Sequence, residues 1–249
     1  MPLSGAKLLI HLALVGTLTV SLMSDLGAQS KARPAVKPGS GASFRDCPNC
    51  PELVVAPAGA FTMGSPASEQ GRQGAESPQH QVTIAKPFAV GKFPVTFAQW
   101  DACVDGGGCD GYRPDDKGWG RGDRPVINVR WSEAKAYAAW LSAKTGLGYR
   151  LLSEAEREYI ARAGTSTPYW CYQVHGNVWE WVEDCWTDNY DAAPLDGSAW
   201  TAEACYRRVL RGGSWGSDPQ ALRSASRTSY FPNLKDAYTG FRVARALEP

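Results

Sequence analysis

Histidine is scarce, charges of opposite sign cancel, and the usual nucleotide and nucleophile signatures are missing. The 249-residue chain has three histidines, and its 26 basic and 25 acidic residues leave a formal charge of +1. So small a net charge provides no electrostatic footprint for nucleic acid or for an anionic membrane surface. His11 lies in an apolar N-terminal stretch, which leaves His80 and His175. A three-histidine metal site is therefore out of reach of one chain. A two-histidine, one-carboxylate iron site would need both residues, and nothing around them suggests it. No G-x-S-x-G elbow, P-loop or dinucleotide fingerprint occurs. Cys47-Pro48-Asn49-Cys50 has no second closely spaced cysteine pair to complete a zinc site, and no cysteine follows Cys205.

Long apolar runs are missing too. Residues 8–23 are interrupted by His11, Thr17 and Thr19, and fall short of the ~20 residues a membrane span needs. With Lys7 before it and Leu26-Gly27-Ala28 after it, the segment 1–28 reads as a secretory signal. That predicts a periplasmic or secreted protein, not integral to the membrane after cleavage. Its partner would be a periplasmic protein or peptide that the sequence does not name. Residues 29–46, rich in Lys, Pro, Gly, Ser and Ala, read as a linker, and the folded domain is expected over 47–249. All seven cysteines lie beyond the cleavage point, where an oxidising compartment lets them pair. Cys103 and Cys109 flank a glycine-rich loop, and Cys185 and Cys205 bracket a polar one. Cys47 and Cys50 make either a turn clamp or a redox pair, without the βαβ surroundings of the latter. Cys171 is left as the odd thiol.

What the chain does have is aromatic and turn-forming: 10 Trp, 10 Tyr, 26 Gly and 17 Pro, with 43% hydrophobic residues. One irregular domain of many short elements follows. Short strands are expected at 53–56, 60–63, 80–84, 88–93, 178–182, 208–211 and 239–244. Three helices carry start signals: Thr96 with Gln99, Ser132 ahead of the Ala134, Tyr137, Ala138, Leu141 stripe, and Ser153 with Glu156. The second should stop near Gly146 and the third at Gly164. Helices packed on a small irregular sheet make the fold class α+β.

The most informative stretch is Tyr172-Gln173-Val174-His175-Gly176-Asn177-Val178-Trp179-Glu180-Trp181. In an extended segment, Trp179 and Trp181 share one face while Val178, Glu180 and Val182 share the other. Both faces are largely apolar, so Glu180 should be buried, and a buried carboxylate needs a cation or donors. One solution is a hard cation such as Ca²⁺, held by Glu180, carbonyls freed by the bend at Gly176, and the Gln173 amide. The other is an arginine, with Arg150, Arg211 and Arg242 all available. Ser214, after Arg211-Gly212-Gly213, is either a reactive hydroxyl on a glycine turn or a local hydrogen-bonding cap.

Seven motifs then fall into a familiar order: Phe61-Thr62-Met63-Gly64, Pro94-Val95-Thr96, Arg124-Pro125-Val126, Tyr149 to Glu156, Gly176 to Trp181, Arg211 to Trp215, and Gly240-Phe241-Arg242. From about residue 52 to residue 246 the chain resembles the formylglycine-generating enzyme (sulfatase-modifying factor) family. The resemblance implies an irregular α+β fold related to C-type lectins. In active members two cysteines beyond the Gly-Gly-Ser turn bind copper(I), and oxygen converts a sulfatase cysteine to formylglycine. Here Ser217 and Leu222 stand at those positions, and a hydroxyl and an aliphatic group do not replace soft thiolates. Copper is therefore not expected. Ser214 matches a serine at the family's active site. A calcium site of the family maps onto Gln173, Gly176, Val178 and Glu180, which moves the expectation at Glu180 towards Ca²⁺. A long segment that carries another calcium site in relatives is missing before Tyr172, and Arg157 stands where an aromatic ring is common. The resemblance implies a binding or accessory domain without the copper centre. The rivals are an oxidase acting on a protein cysteine or on a periplasmic peptide or metabolite, and a purely structural paralogue.

Overall fold

The computed structural model describes residues 1, 38, 40–162 and 171–247. Residues 2–28 of the expected signal segment lie outside the described residues, as do Gly164, Tyr169 and Trp170. In chain order the strands begin with β1 (Ser43–Phe44), β2 (Leu53–Ala56), β3 (Gly59–Met63), β4 (His80–Ile84) and β5 (Phe88–Gly91). Helices α1 (Phe97–Asp105) and α2 (Trp131–Thr145) follow, then β6 (Tyr149–Leu151) and α3 (Glu154–Ala161). The rest is strand and loop: β7 (Trp179–Cys185), β8 (Arg208–Arg211), β9 (Arg227–Tyr230), β10 (Thr239–Phe241) and β11 (Val243–Ala246). The mixture is α+β, as the sequence implies.

The helix starts follow local chemistry. Thr96 Oγ1 accepts from the Gln99 amide and the Gln99 side chain accepts from the Thr96 amide, closing a capping box on α1. Ser153 and Glu156 do the same for α3. At α2 the expected cap is displaced: the helix begins at Trp131, so Ser132 sits inside the first turn. Glu133 Oε2 accepts from the Arg130 amide at 2.7 Å, which moves the boundary two residues upstream. Gly146, at φ 71°, ends this helix in the left-handed conformation glycine favours.

Three sheets hold the strands, in the orders β1-β2-β5-β11-β6, β10-β7-β8-β9 and β3-β4. Strand β7 lies inside the four-stranded sheet, with β10 parallel on one side and β8 antiparallel on the other. The expected strand over 239–244 is broken at Arg242, so β10 joins one sheet and β11 the other. One core gathers α1, α2, Val178, Trp181 and Phe241, and a second gathers the β3-β4 hairpin beneath α3.

The ordered domain also starts earlier than composition suggests. Ser43–Phe44 pairs with β2, and Asp46 makes a two-oxygen ion pair with Arg245 at 2.7 and 3.0 Å. Residues 43–46 thus belong to the fold and not to the linker. Three disulfides form, Cys47–Cys50, Cys103–Cys109 and Cys185–Cys205. Cys171 is the free cysteine among the described residues.

Candidate functional site

Strand β7 carries Glu180 into the interior, where it is 1% exposed. Its carboxylate accepts from Arg157 Nε at 2.8 Å and from Arg242 Nη2 and Nε at 3.0 and 3.2 Å. Arg157 comes from α3, and Arg242 from the break between β10 and β11. Burial alone would raise the Glu180 carboxyl, but the two guanidinium groups outweigh it and hold its pKa below the usual carboxylate range. Of the three arginines that the sequence offered, only Arg242 reaches Glu180. Arg150 pairs with Glu156 at 2.6 Å, and Arg211 binds Glu158. The partner that sequence reasoning missed is Arg157.

This arrangement does not fit calcium. Both Glu180 oxygens are engaged by cations, and the Gln173 side-chain oxygen accepts from Asn177 Nδ2 at 2.6 Å. The Gly176 amide donates to Gly212 O at 2.7 Å, and the Val174 carbonyl accepts from Arg157 Nη2 at 2.9 Å. Two guanidiniums against one carboxylate already leave an excess positive charge, and a divalent ion beside them would add repulsion. Glu180 is therefore committed to an arginine pair, while Gln173 is tied to Asn177, Gly176 to Gly212, and Val178 lines the cleft at Trp215. No group of three or more His, Cys, Asp or Glu suited to a metal occurs among the described residues.

The Gly-Gly-Ser turn follows β8. Gly213, at φ 74°, has no room for a side chain, since a Cβ would come within 2.5 Å of Leu222 Cδ2. Ser214 is 4% exposed; its amide donates to Ser217 Oγ at 2.9 Å, and the two hydroxyls lie 3.1 Å apart. Leu222 packs back on the turn. The donor set at this corner is thus two hydroxyls bonded to each other beside an aliphatic side chain, which does not fit copper(I). The other cysteines of the fold do not remedy this. Six are in disulfides, and burial pushes the Cys171 thiol up, so that it stays protonated at neutral pH.

His175 ties the turn to the helix: Nδ1 lies 2.7 Å from Leu222 O and Nε2 3.1 Å from Ala161 O. His80 Nδ1 is 3.1 Å from Pro78 O. Both described histidines, His80 and His175, thus meet backbone carbonyls.

The open feature beside this corner is a cleft of about 560 Å³, within the size range of small-ligand sites. Ser214, Ser217 and Leu222 do not line it; Trp215, the next residue after Ser214, does. Trp215 is 54% exposed, stacks on Tyr238 with ring centroids 4.6 Å apart, and meets Trp119 edge-on at 5.3 Å. Its indole Nε1 donates to Ala237 O at 3.2 Å and its amide to Asn177 O at 2.8 Å. The tryptophan is thus fixed at both ends while leaving ring surface in water. Phe97, Pro125, Ile127 and Val178 form the apolar floor, and Asp116, Arg124 and Asn177 are its polar members.

A profile described as a sulfatase-modifying factor enzyme 1-like domain matches residues 40–173 and 167–247. The chain belongs to that family. It is similar to PvdO from Pseudomonas aeruginosa, with a TM-score of 0.78 and 40% identity over 86% of this chain and 100% of that one. It is 25% identical over 287 residues to a formylglycine-generating enzyme of Thermomonospora curvata, covering 77% of this chain and 92% of the relative. It is 27% identical over 263 residues to hercynine oxygenase of Mycolicibacterium smegmatis, covering 77% of this chain but only 60% of the oxygenase. The corner where the resemblance places a thiolate pair holds Ser217 and Leu222, while the aromatic cleft next to the Gly-Gly-Ser turn is open.

Proposed function

We propose that this chain is an exported binding or accessory member of the family, and that the cleft at Trp215 holds a planar group of a peptide or small metabolite. The observation that carries the reading is the pair of Trp119 and Trp215 rings, partly exposed and in contact with each other in a cleft lined by apolar side chains, with Trp215 further held by its stack on Tyr238. Rings held in contact lose little freedom on binding, and each further aromatic contact contributes about 0.5–1.5 kcal/mol beyond burial. The replacement of the thiolate pair supports binding over copper-dependent oxidation. A second reading, oxidation of a periplasmic peptide or metabolite, is favoured by the likeness to hercynine oxygenase. It would need a reactive centre other than the Ser217–Leu222 corner.

The test is ligand-observed NMR with a neutral bicyclic probe, 2-naphthylmethanol. Wild type should give saturation transfer, and Trp215→Ala should weaken the affinity about tenfold, the loss of one stacking face and part of its burial. Equal binding to both proteins would place the site elsewhere and remove the reading.

A further inference from the structure

Arg124 stands at the cleft with its charge uncommitted. The other charged lining residue, Asp116, already accepts from the Gly118 amide at 3.0 Å and lies in the field of Arg121. Arg121 in turn is bound to Asp101, with Nε–Oδ2 at 2.9 Å, and packs over Phe97. Among the described residues the Arg124 guanidinium has no hydrogen bond, ion pair or ring contact. Neighbouring arginines of this fold are spent on carboxylates and carbonyls, as Arg121 and Arg242 show.

The backbone of Arg124 is held firmly even though its side chain is exposed. Its carbonyl accepts from the Phe97 amide at 2.9 Å, and the next residue, Pro125, bridges to Thr96 at the start of α1. Two residues on, the Val126 amide donates to Val95 O at 2.8 Å. The stem of the side chain therefore leaves a fixed wall, and the planar, five-donor guanidinium stays free to meet an anion at the mouth.

Resting on the reading of the cleft as a binding site, we infer that its ligand is a planar aromatic group bearing an anionic substituent, a carboxylate or a comparable oxyanion, read by Arg124. The ring lies against Trp215 and Trp119 while the anion takes the fork of the guanidinium. A charge-assisted contact at an apolar wall discriminates acid from neutral analogue more than the same contact in open water.

Three probes share one ring system: 2-naphthoate, 2-naphthylmethanol and 2-naphthylmethylammonium. With wild type, the acid should bind roughly threefold to tenfold tighter than the alcohol, the range between exposed and partly buried charge pairs. Raising NaCl from ~50 to ~500 mM should erase most of that preference and leave the alcohol unaffected. Arg124→Gln should bring the acid down to the affinity of the alcohol without changing the alcohol's own. Arg124→Lys should keep a reduced preference. An unchanged thermal midpoint shows that both variants are folded. Equal affinity of acid and alcohol for wild type, or tightest binding of the ammonium probe, overturns the inference while leaving the cleft in place. Absence of binding by all three overturns the cleft reading as well.

Discussion

At the scale of single residues, one carboxylate decides the character of the interior. Glu180, Arg157 and Arg242 are each at most 1% exposed. Removing the shared acid leaves two buried guanidiniums facing each other, and Glu180→Gln should cost about 3–5 kcal/mol in denaturant unfolding. The pH dependence has a definite sign. The folded-state pKa of Glu180 is held below its unfolded value of roughly 4.3, so its contribution is present above that value and is lost as pH falls through the folded one. Lowering pH from about 5 to about 3 should therefore lower the urea midpoint, with a shallower slope in Glu180→Gln. Calcium gives a separate check. Millimolar CaCl₂ or EDTA should leave the thermal midpoint unchanged, because an ion stabilises only what it binds. A calcium-dependent rise of several degrees would contradict the arginine-locked geometry.

At the scale of elements, α3 shows what a sequence pattern can and cannot convey. Its capping box is plain in Ser153 and Glu156, yet Glu-Ala-Glu-Arg-Glu-Tyr-Ile-Ala looks like a solvated helix and is buried throughout. Each of its charges is met from elsewhere in the fold: Glu154 by Arg227, Glu156 by Arg150, Arg157 by Glu180 and Glu158 by Arg211. Apart from Arg150, six residues before Glu156, these partners lie 23 to 73 residues away along the chain, so local periodicity does not contain them. Arg157 is the instructive case. Standing where an aromatic ring is common, it is the counterion of Glu180, and that identity depends on α3 meeting β7. Strands with strong local patterns, such as β2, β4 and β8, were legible at their full length. The short β1 was hidden in linker-like composition, because its evidence is a pairing with β2 and the Asp46–Arg245 bond. The Cys185–Cys205 disulfide, legible from the polar loop it brackets, closes 20 residues between β7 and β8. Replacing both cysteines by serine should cost about 3 kcal/mol in chemical unfolding by the loop-closure argument. A cost near zero would mean that the loop is held by its other contacts.

At the scale of the whole molecule, the fold and the family were readable from seven ordered motifs, whereas the cleft was readable only in part. Trp215 closed the Arg211 to Trp215 motif beside the Gly-Gly-Ser turn. Arg124 stood only at the head of the Arg124-Pro125-Val126 motif, and Trp119 not at all, because the loop that carries both meets Trp215 only in the folded chain. At the turn, Ser217 is bonded to Ser214, and Leu222 fills the space over Gly213, so the corner presents hydroxyls and an aliphatic side chain but no thiolate. Trp215→Ala gives up the stack on Tyr238, the edge contact with Trp119 and the Nε1 bond to Ala237, so it should cost about 1–3 kcal/mol in chemical unfolding while leaving the chain folded at about 25 °C.

The proposal that this chain binds a ligand and holds no copper is tested most directly by titrating Cu(I) into the folded chain, disulfides intact, against a competing chromophoric chelator. With no available thiolate pair, the protein should withdraw no stoichiometric copper from the chelator. One tightly held equivalent that survives competition and disappears in Ser217→Ala would contradict the assignment.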